Sequence, residues 1–385
     1  MMGPNHIRKY HVATSLLALY AAAMATPTHA MDMPLNPSGT AAITDAGEAD
    51  HHGDSASDHG KVPAGVMGAT MVGAGKFMLG YTPMFMHMSD NYIGSSTVSP
   101  QTIVTTIPSG MKMGMMPVDY RVVPTSMDSQ MHMFHAMAGI TDWLNVMVMA
   151  DYQKKTMQMT TFAGMSGTRV LGSGGATTSG FGDTTVVSLW RLYDDGMQHV
   201  HLNLGLSLPS GSTTQTMTML SPMNMMMTMR ASYGMQLGTG TVDLLPGLTY
   251  TGHMRQWSWG GAWRGRFALD NNDEGYHYGG KQELTGWGGY TWVPGVTTTV
   301  RAAGSIEDRI HGADPLISGL MPGTNPAFYG GKRIDLLGGF EIAGAPFGLG
   351  NTHLSVEGGG PVYQDLNGPQ LGHAWQLTAA IGVRF

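Results

Sequence analysis

The sequence predicts an antiparallel transmembrane β-barrel of about twelve strands, with fourteen as the alternative. Three observations carry this. The last twelve residues, Ala374 to Phe385, place apolar residues at every odd position and small or polar ones at most even positions, the alternation that lipid on one face and a lumen on the other impose. Similar segments recur from Lys76 onward, separated by turns that are alternately short and long. The composition is 42% hydrophobic but only 12% charged, about half the usual charged share. After residue 30 no apolar run reaches the ~18 residues a helical span needs.

The chain opens with a segment that reads as a secretory signal, residues 1–30. His6, Arg8 and Lys9 form a basic start, Val12 to Met24 an apolar stretch, and Thr28-His29-Ala30 a small-residue cleavage site after Ala30. Residues 31–75 are expected to form a disordered tail. Asp45, Glu48, Asp50, His51, His52, Asp54, Asp58 and His59 are scattered there among Gly, Ala and Ser, too polar to bury a core. This His/Asp group is a loose divalent-metal candidate, though a solvated tail explains it as well.

The barrel domain is placed at residues 76–385. Candidate strands are 76–88, 127–139, 142–162, 182–193, 198–208, 228–238, 241–253, 257–269, 281–293, 296–306, 332–343, 352–363 and the C-terminal segment. That count is odd, whereas bacterial single-chain barrels are even, so one of the thirteen is surplus or split. Short turns are expected at Thr141-Asp142, Asp194-Asp195-Gly196, Gly238-Thr239-Gly240 and Pro294-Gly295. Long loops are expected at 89–126, 163–180, 209–227 and 307–331. Trp143, Trp190, Tyr193, Trp257, Trp259, Trp263, Tyr290 and Trp292 crowd strand ends, as interfacial girdles do. The closing Phe385 resembles the assembly signal of Gram-negative outer-membrane proteins. The expected surroundings are therefore outer-membrane lipid and the barrel-assembly machinery. The net charge of −6 with scattered basic residues excludes a nucleic-acid surface.

Several turn and strand-end motifs resemble the MetA-pathway-of-phenol-degradation family of outer-membrane transporters. They are Gly180-Phe181-Gly182-Asp183, Leu208-Pro209-Ser210-Gly211, Gly238-Thr239-Gly240-Thr241, Asn272-Asp273-Glu274-Gly275-Tyr276 and the run from Pro361 to Gln370. The resemblance spans roughly residues 76–385, and the methionine load is similar to that of a copper-associated subgroup. It implies a barrel with a transport or channel role. It carries over no catalytic residue, and no nucleophile elbow, zinc-protease pair or phosphate loop stands in the chain. The chain is read as a non-enzyme.

Thirty-five methionines and no cysteine define the candidate chemistry. Many methionines stand two residues apart, which on a strand sets them on one face. Thioethers are soft donors suited to Cu(I), and methionine is also an adaptable apolar filler. The candidate metal residues are Met84, Met86, Met88, Met111, Met113, Met131, Met133, His135 and Met137, with copper as the bound or transported ion. Met147, Met149, Met157 and Met159 share a face with Asn145, Asp151 and Lys155, which argues for a lumenal position. The Met217–Met229 cluster reads as an exposed loop site. Three functions are weighed: a copper or small-solute channel, a copper-sequestering barrel, and a transporter of small hydrophobic or aromatic solutes.

Overall fold

In hydrocarbon no water is present to pair a free backbone amide, so a sheet can cross a bilayer only if it closes on itself. The computed structural model, which describes residues 62–385, closes this way. Eleven extended segments follow one another around a single antiparallel sheet: β1 Phe77–Gly94, β2 Val122–Thr141, β3 Leu144–Phe162, β4 Thr184–Asp194, β5 Gln198–Leu208, β6 Asp243–Met254, β7 Trp257–Ala268, β8 Lys281–Val293, β9 Val296–Glu307, β10 Gly331–Ala343 and β11 Thr352–Arg384. Each pairs with its neighbour in sequence, and β11 pairs back onto β1. At the seam Phe77 N–H donates to Phe385 O (3.3 Å) and Phe385 N–H to Phe77 O (2.9 Å). Two further strands, Ser96–Val98 and Val170–Phe181, extend the sheet beside β1 and β3.

The eleventh segment has 33 residues. Run straight it would span about 110 Å at ~3.3 Å per residue, several times the thickness of a bilayer core. Its first half, His353–Leu366, pairs with β10, whereas Leu366–Arg384 pairs with β1. The two halves also touch each other. Gln364 Nε2–H donates to His373 O (3.0 Å) and His373 N–H to Gln364 Oε1 (2.8 Å). A Cβ on Gly360 would meet Ala374 O, and one on Gly358 would lie against Leu377 and Gln376 O. The segment is folded back at Asn367-Gly368-Pro369-Gln370, so the wall is crossed twelve times.

One sequence-derived strand is absent. Residues 228–238 are not part of the wall. Met226–Arg230 pairs with Thr216–Leu220 in a small hairpin inside the 209–242 connection, followed by a 3-10 turn at Tyr233–Met235. The period-2 methionines do make a strand there, but their partner lies in the same loop. The turn Gly238-Thr239-Gly240 is also displaced from its expected place. It belongs to this long connection, at the opposite end of the barrel from the short turns.

Outward positions carry the lipid-facing surface. Phe77, Leu79, Phe134, Val148, Leu284, Val300, Leu336, Trp375 and Ile381 are all exposed. Trp143 packs on Trp190 (5.3 Å between centroids), and Tyr290 on both Trp257 and Trp292 (4.8 Å each), forming a girdle at the short-turn end. Trp263 departs from the expectation: it faces outward in mid-strand, paired with Leu248 and Leu284.

The residues just before β1 correct the reading of the tail. Residues 62–75 lie inside the lumen. The Gly65 N–H donates to Glu357 Oε2 (3.0 Å), His201 Nε2–H to Gly68 O (3.0 Å), and Arg264 to Met67 O. Val66 and Ala69 pack on Ala262 and Trp287. The stretch Val62 to Val72 is apolar and carries no charge, unlike the His/Asp-bearing part before it, and so it can be buried. The signal segment, its cleavage site and the His/Asp group lie outside the described residues.

Four of the five motifs, all but the run from Pro361 to Gln370, join in one assembly at the long-loop end. Asp183 Oδ1 accepts the Gly211 N–H (2.9 Å), and its Oδ2 accepts the Thr239 N–H (2.7 Å) and hydroxyl (2.9 Å). Ser210 Oγ accepts the Thr184 N–H (2.8 Å), and Asn272 Nδ2–H donates to Thr239 O (3.0 Å). Gly240 adopts φ +70° beside Asn272, a conformation only glycine takes at little cost. Asp183→Ala is expected to unpair these loop amides and lower stability by about 1–3 kcal/mol without preventing barrel closure. Thermal unfolding of the folded gel species in detergent reads this.

Candidate functional site: the barrel lumen

Register fixes which residues look inward. Met137 and Met147 are buried at 2% and 3% exposure, while their alternates Phe134 and Val148 are 52% and 43% exposed. Pairing extends the assignment along the wall, because residues directly opposite share a face. Met78 pairs with Met137, Met84 with Met131, Met88 with Met127, Met137 with Met147, and Met127 with Met157. Met86 and Met133 lie on the same face, opposite Ser129 and Thr82.

Every methionine of β1, β2 and β3 is therefore lumenal. These are Met78, Met84, Met86 and Met88; Met127, Met131, Met133 and Met137; and Met147, Met149, Met157 and Met159. The outward positions on the same strands use Phe77, Leu79, Tyr81, Phe85, Phe134, Val146 and Val148. His132 also faces out, its Nδ1 bonded to the Tyr81 hydroxyl (2.7 Å). His135 faces in, opposite Gly80 and Met149.

The thioethers form a stripe along the lumen. At the short-turn end Met71, Met78, Met137 and Met147 cluster with Val187 and Leu189. In the middle lie Met84, Met131 and Met133. At the long-loop end Met127, Met157 and Met159 pack with Met217, Met219, Met235 and Met321, which descend from loops. Met217 and Met219, read from sequence as part of an exposed site, are buried in this cap. Their hairpin presents Met223, Met225, Met226 and Met227 to solvent instead.

Met111 and Met113 do not join the stripe. They lie on the strand Pro108–Met113 of a hairpin in the 95–121 loop, where Met113 stands opposite Met116. Met111 is exposed, as is Met115 at the turn.

The opposite wall is polar. Arg301 makes a bidentate pair with Glu357 (2.7 and 3.0 Å), both nearly fully buried. Arg333 bonds Asp335 (2.8 Å), and Lys281 and Arg266 flank Glu307. These ions were not singled out from sequence, though their alternation with apolar residues on β7–β10 was the available signal. Above them the loops pack Tyr233, Tyr276, Tyr278 and Tyr329 around Ile310 and Ile317. Burial raises the Tyr276 and Tyr329 phenols above their usual range, so both stay neutral, and the Tyr329 hydroxyl donates to Gly323 O (2.8 Å).

The fold has a counterpart among solved structures. An outer-membrane channel from Pseudomonas putida F1 superposes with a TM-score of 0.53 at 12% identity, over 83% of this chain and 99% of that one. The likeness is one of fold, a closed antiparallel barrel. The monoaromatic hydrocarbon channel TodX and the translocator domain of the autotransporter NalP from Neisseria meningitidis align more loosely. Their TM-scores are 0.40 and 0.39, each at 10% identity over 83% of this chain and 91% of the other. No protein-family model matches the chain, and no curated protein matches it in sequence.

Glu357 links the lumenal wall to the segment 62–75, because it accepts from both Arg301 and Gly65. Glu357→Ala strands a buried guanidinium, a change that costs about 3–5 kcal/mol. It also releases one of the segment's side-chain anchors. The expected result is a lower unfolding midpoint together with faster protease cutting within 62–75 in detergent.

Proposed function

We propose that this protein is an outer-membrane channel that binds soft monovalent cations, Cu(I) foremost, and passes them along the lumenal methionines. One observation carries the reading: all methionines of three adjacent strands face inward, while the outward apolar positions of those strands use other residues. A residue serving only as grease would be distributed over both faces. Thioethers suit Cu(I) and reject hard ions. A succession of weak sites is what conduction needs, since an ion must leave each site as readily as it enters.

Both ends of the lumen are covered, by residues 62–75 on one side and by the methionine cap on the other. A gate presents this arrangement, and so does a store that binds copper without moving it. The likeness to a solved channel favours the gate. A second reading, passage of small apolar solutes, is supported by the apolar and adaptable character of thioethers.

Proteoliposome uptake separates these readings. The Met84→Leu, Met131→Leu and Met133→Leu triple variant keeps apolarity and near-equal volume, so it should assemble. Cu(I) influx is expected to fall about ten-fold, the order by which outer-shell changes alone weaken metal sites, while toluene uptake stays unchanged. Equal Cu(I) influx through variant and wild type would retire the soft-cation reading. Binding without influx would turn the channel into a store.

A further inference from the structure

The region around His135 holds more than a stripe of thioethers. Gly80 on β1 pairs directly with Gly382 on β11, which places two residues without side chains next to each other on the lumenal face. Each is covered by an imidazole. A Cβ on Gly80 would lie 2.2 Å from His135 Nε2, and one on Gly382 would lie 2.1 Å from His353 Cε1. Paired Cα atoms on adjacent strands are only about 5 Å apart. The two rings, from residues more than two hundred positions apart in sequence, therefore rest side by side on a two-glycine floor.

The next rung toward the short turns is Met78 opposite Met137. All four side chains line one cavity of about 70 Å³, closed from the other side by Val66, Gly68 and neighbouring residues of the lumenal segment. The Nδ1 of His135 is buried and has no hydrogen-bond partner in the protein, and neither has the adjacent Thr82 hydroxyl. A buried nitrogen without a partner costs stability unless something occupies it. The Met137 sulfur accepts from Asn145 Nδ2 (3.4 Å), which holds that thioether in place and leaves a second lone pair free.

We infer that His135, His353, Met78 and Met137 form a discrete mixed imidazole–thioether site for one soft monovalent cation, Cu(I) or Ag(I), at the short-turn end of the lumen. The inference rests on the soft-cation reading and adds to it a place where the ion stops. Nitrogen and sulfur donors together hold such an ion more firmly than the thioether-only rungs above. The two glycines are what allow the rings to approach, so they belong to the site although they donate nothing.

The test uses the full chain in detergent, with Ag(I) and separately with Cu(I) kept reduced. X-ray absorption on wild-type protein loaded with one equivalent should show nitrogen and sulfur scatterers together, a result that depends on no variant. A sulfur-only shell overturns the site and leaves a thioether path intact. In titrations, His353→Gln and Gly382→Ala should each weaken the tightest Ag(I) event by about ten-fold or more. The first removes a donor, and the second pushes the ring off its floor. Gel-shift on heating reports folding of each variant. Unchanged tight binding in a folded His353→Gln protein overturns the site. Mixed-donor binding in a protein that passes no Cu(I) into liposomes keeps the site and removes the channel.

Discussion

Backbone pairing in a medium without water is the constraint from which the rest of this architecture follows. Every amide and carbonyl inside the bilayer must find a partner on the next strand, so the sheet closes at Phe77 and Phe385 and the last strand lies beside the first. Closure divides each strand into an inner and an outer file. Once one residue is known to be buried, pairing assigns its neighbours across the wall, and the inward methionines of β1 to β3 follow as a group. The constraint also explains the last strand pair, since an uninterrupted run of 33 extended residues has to turn back to stay within the membrane.

Much of this was legible beforehand because the period of two is written into residue types. Ala374 to Phe385 reads as a strand at sight, and the boundaries 198–208 and 281–293 match the structure. The face of Met131 to Met137 was not legible, because Phe134 and Ala136 on the other side are no more polar than the methionines. Only pairing with Asp151 and Gln153 on β3 breaks that symmetry, and pairing is a long-range fact. The lumenal position of residues 62–75 was hidden for a related reason. A segment that fills a barrel needs neither alternation nor a helical period, so its sequence carries no periodic signature. His353 could not be joined to His135 without the closing seam, which lies between the first and last strands.

The two walls of the lumen suggest a division of labour. His201 on β5, Arg264 on β7 and Glu357 on β11 hold the segment 62–75 through three side-chain hydrogen bonds. The thioether wall holds it by apolar packing of Met71 and Val72 and by the Gly75 N–H donating to Gly139 O (2.8 Å) on β2. The loop end is built differently. There a single carboxylate, Asp183, ties together the two ends of the 209–242 connection, and buried tyrosines pack the cap above.

The exposed fringe of methionine at the long-loop rim bears on chemical durability. Met115 is 97% exposed, and Met223, Met225, Met226 and Met227 are more than half exposed, while Met235 and Met321 beneath them are fully buried. Oxidants attack accessible thioethers first and convert each to a polar sulfoxide. At the fringe that change alters only a solvated surface. At Met235 or Met321 it would place a polar oxygen in a sealed apolar contact and prise the cap open. The rim thus behaves as a sacrificial layer, spending its own sulfur before oxidant reaches the sulfur within.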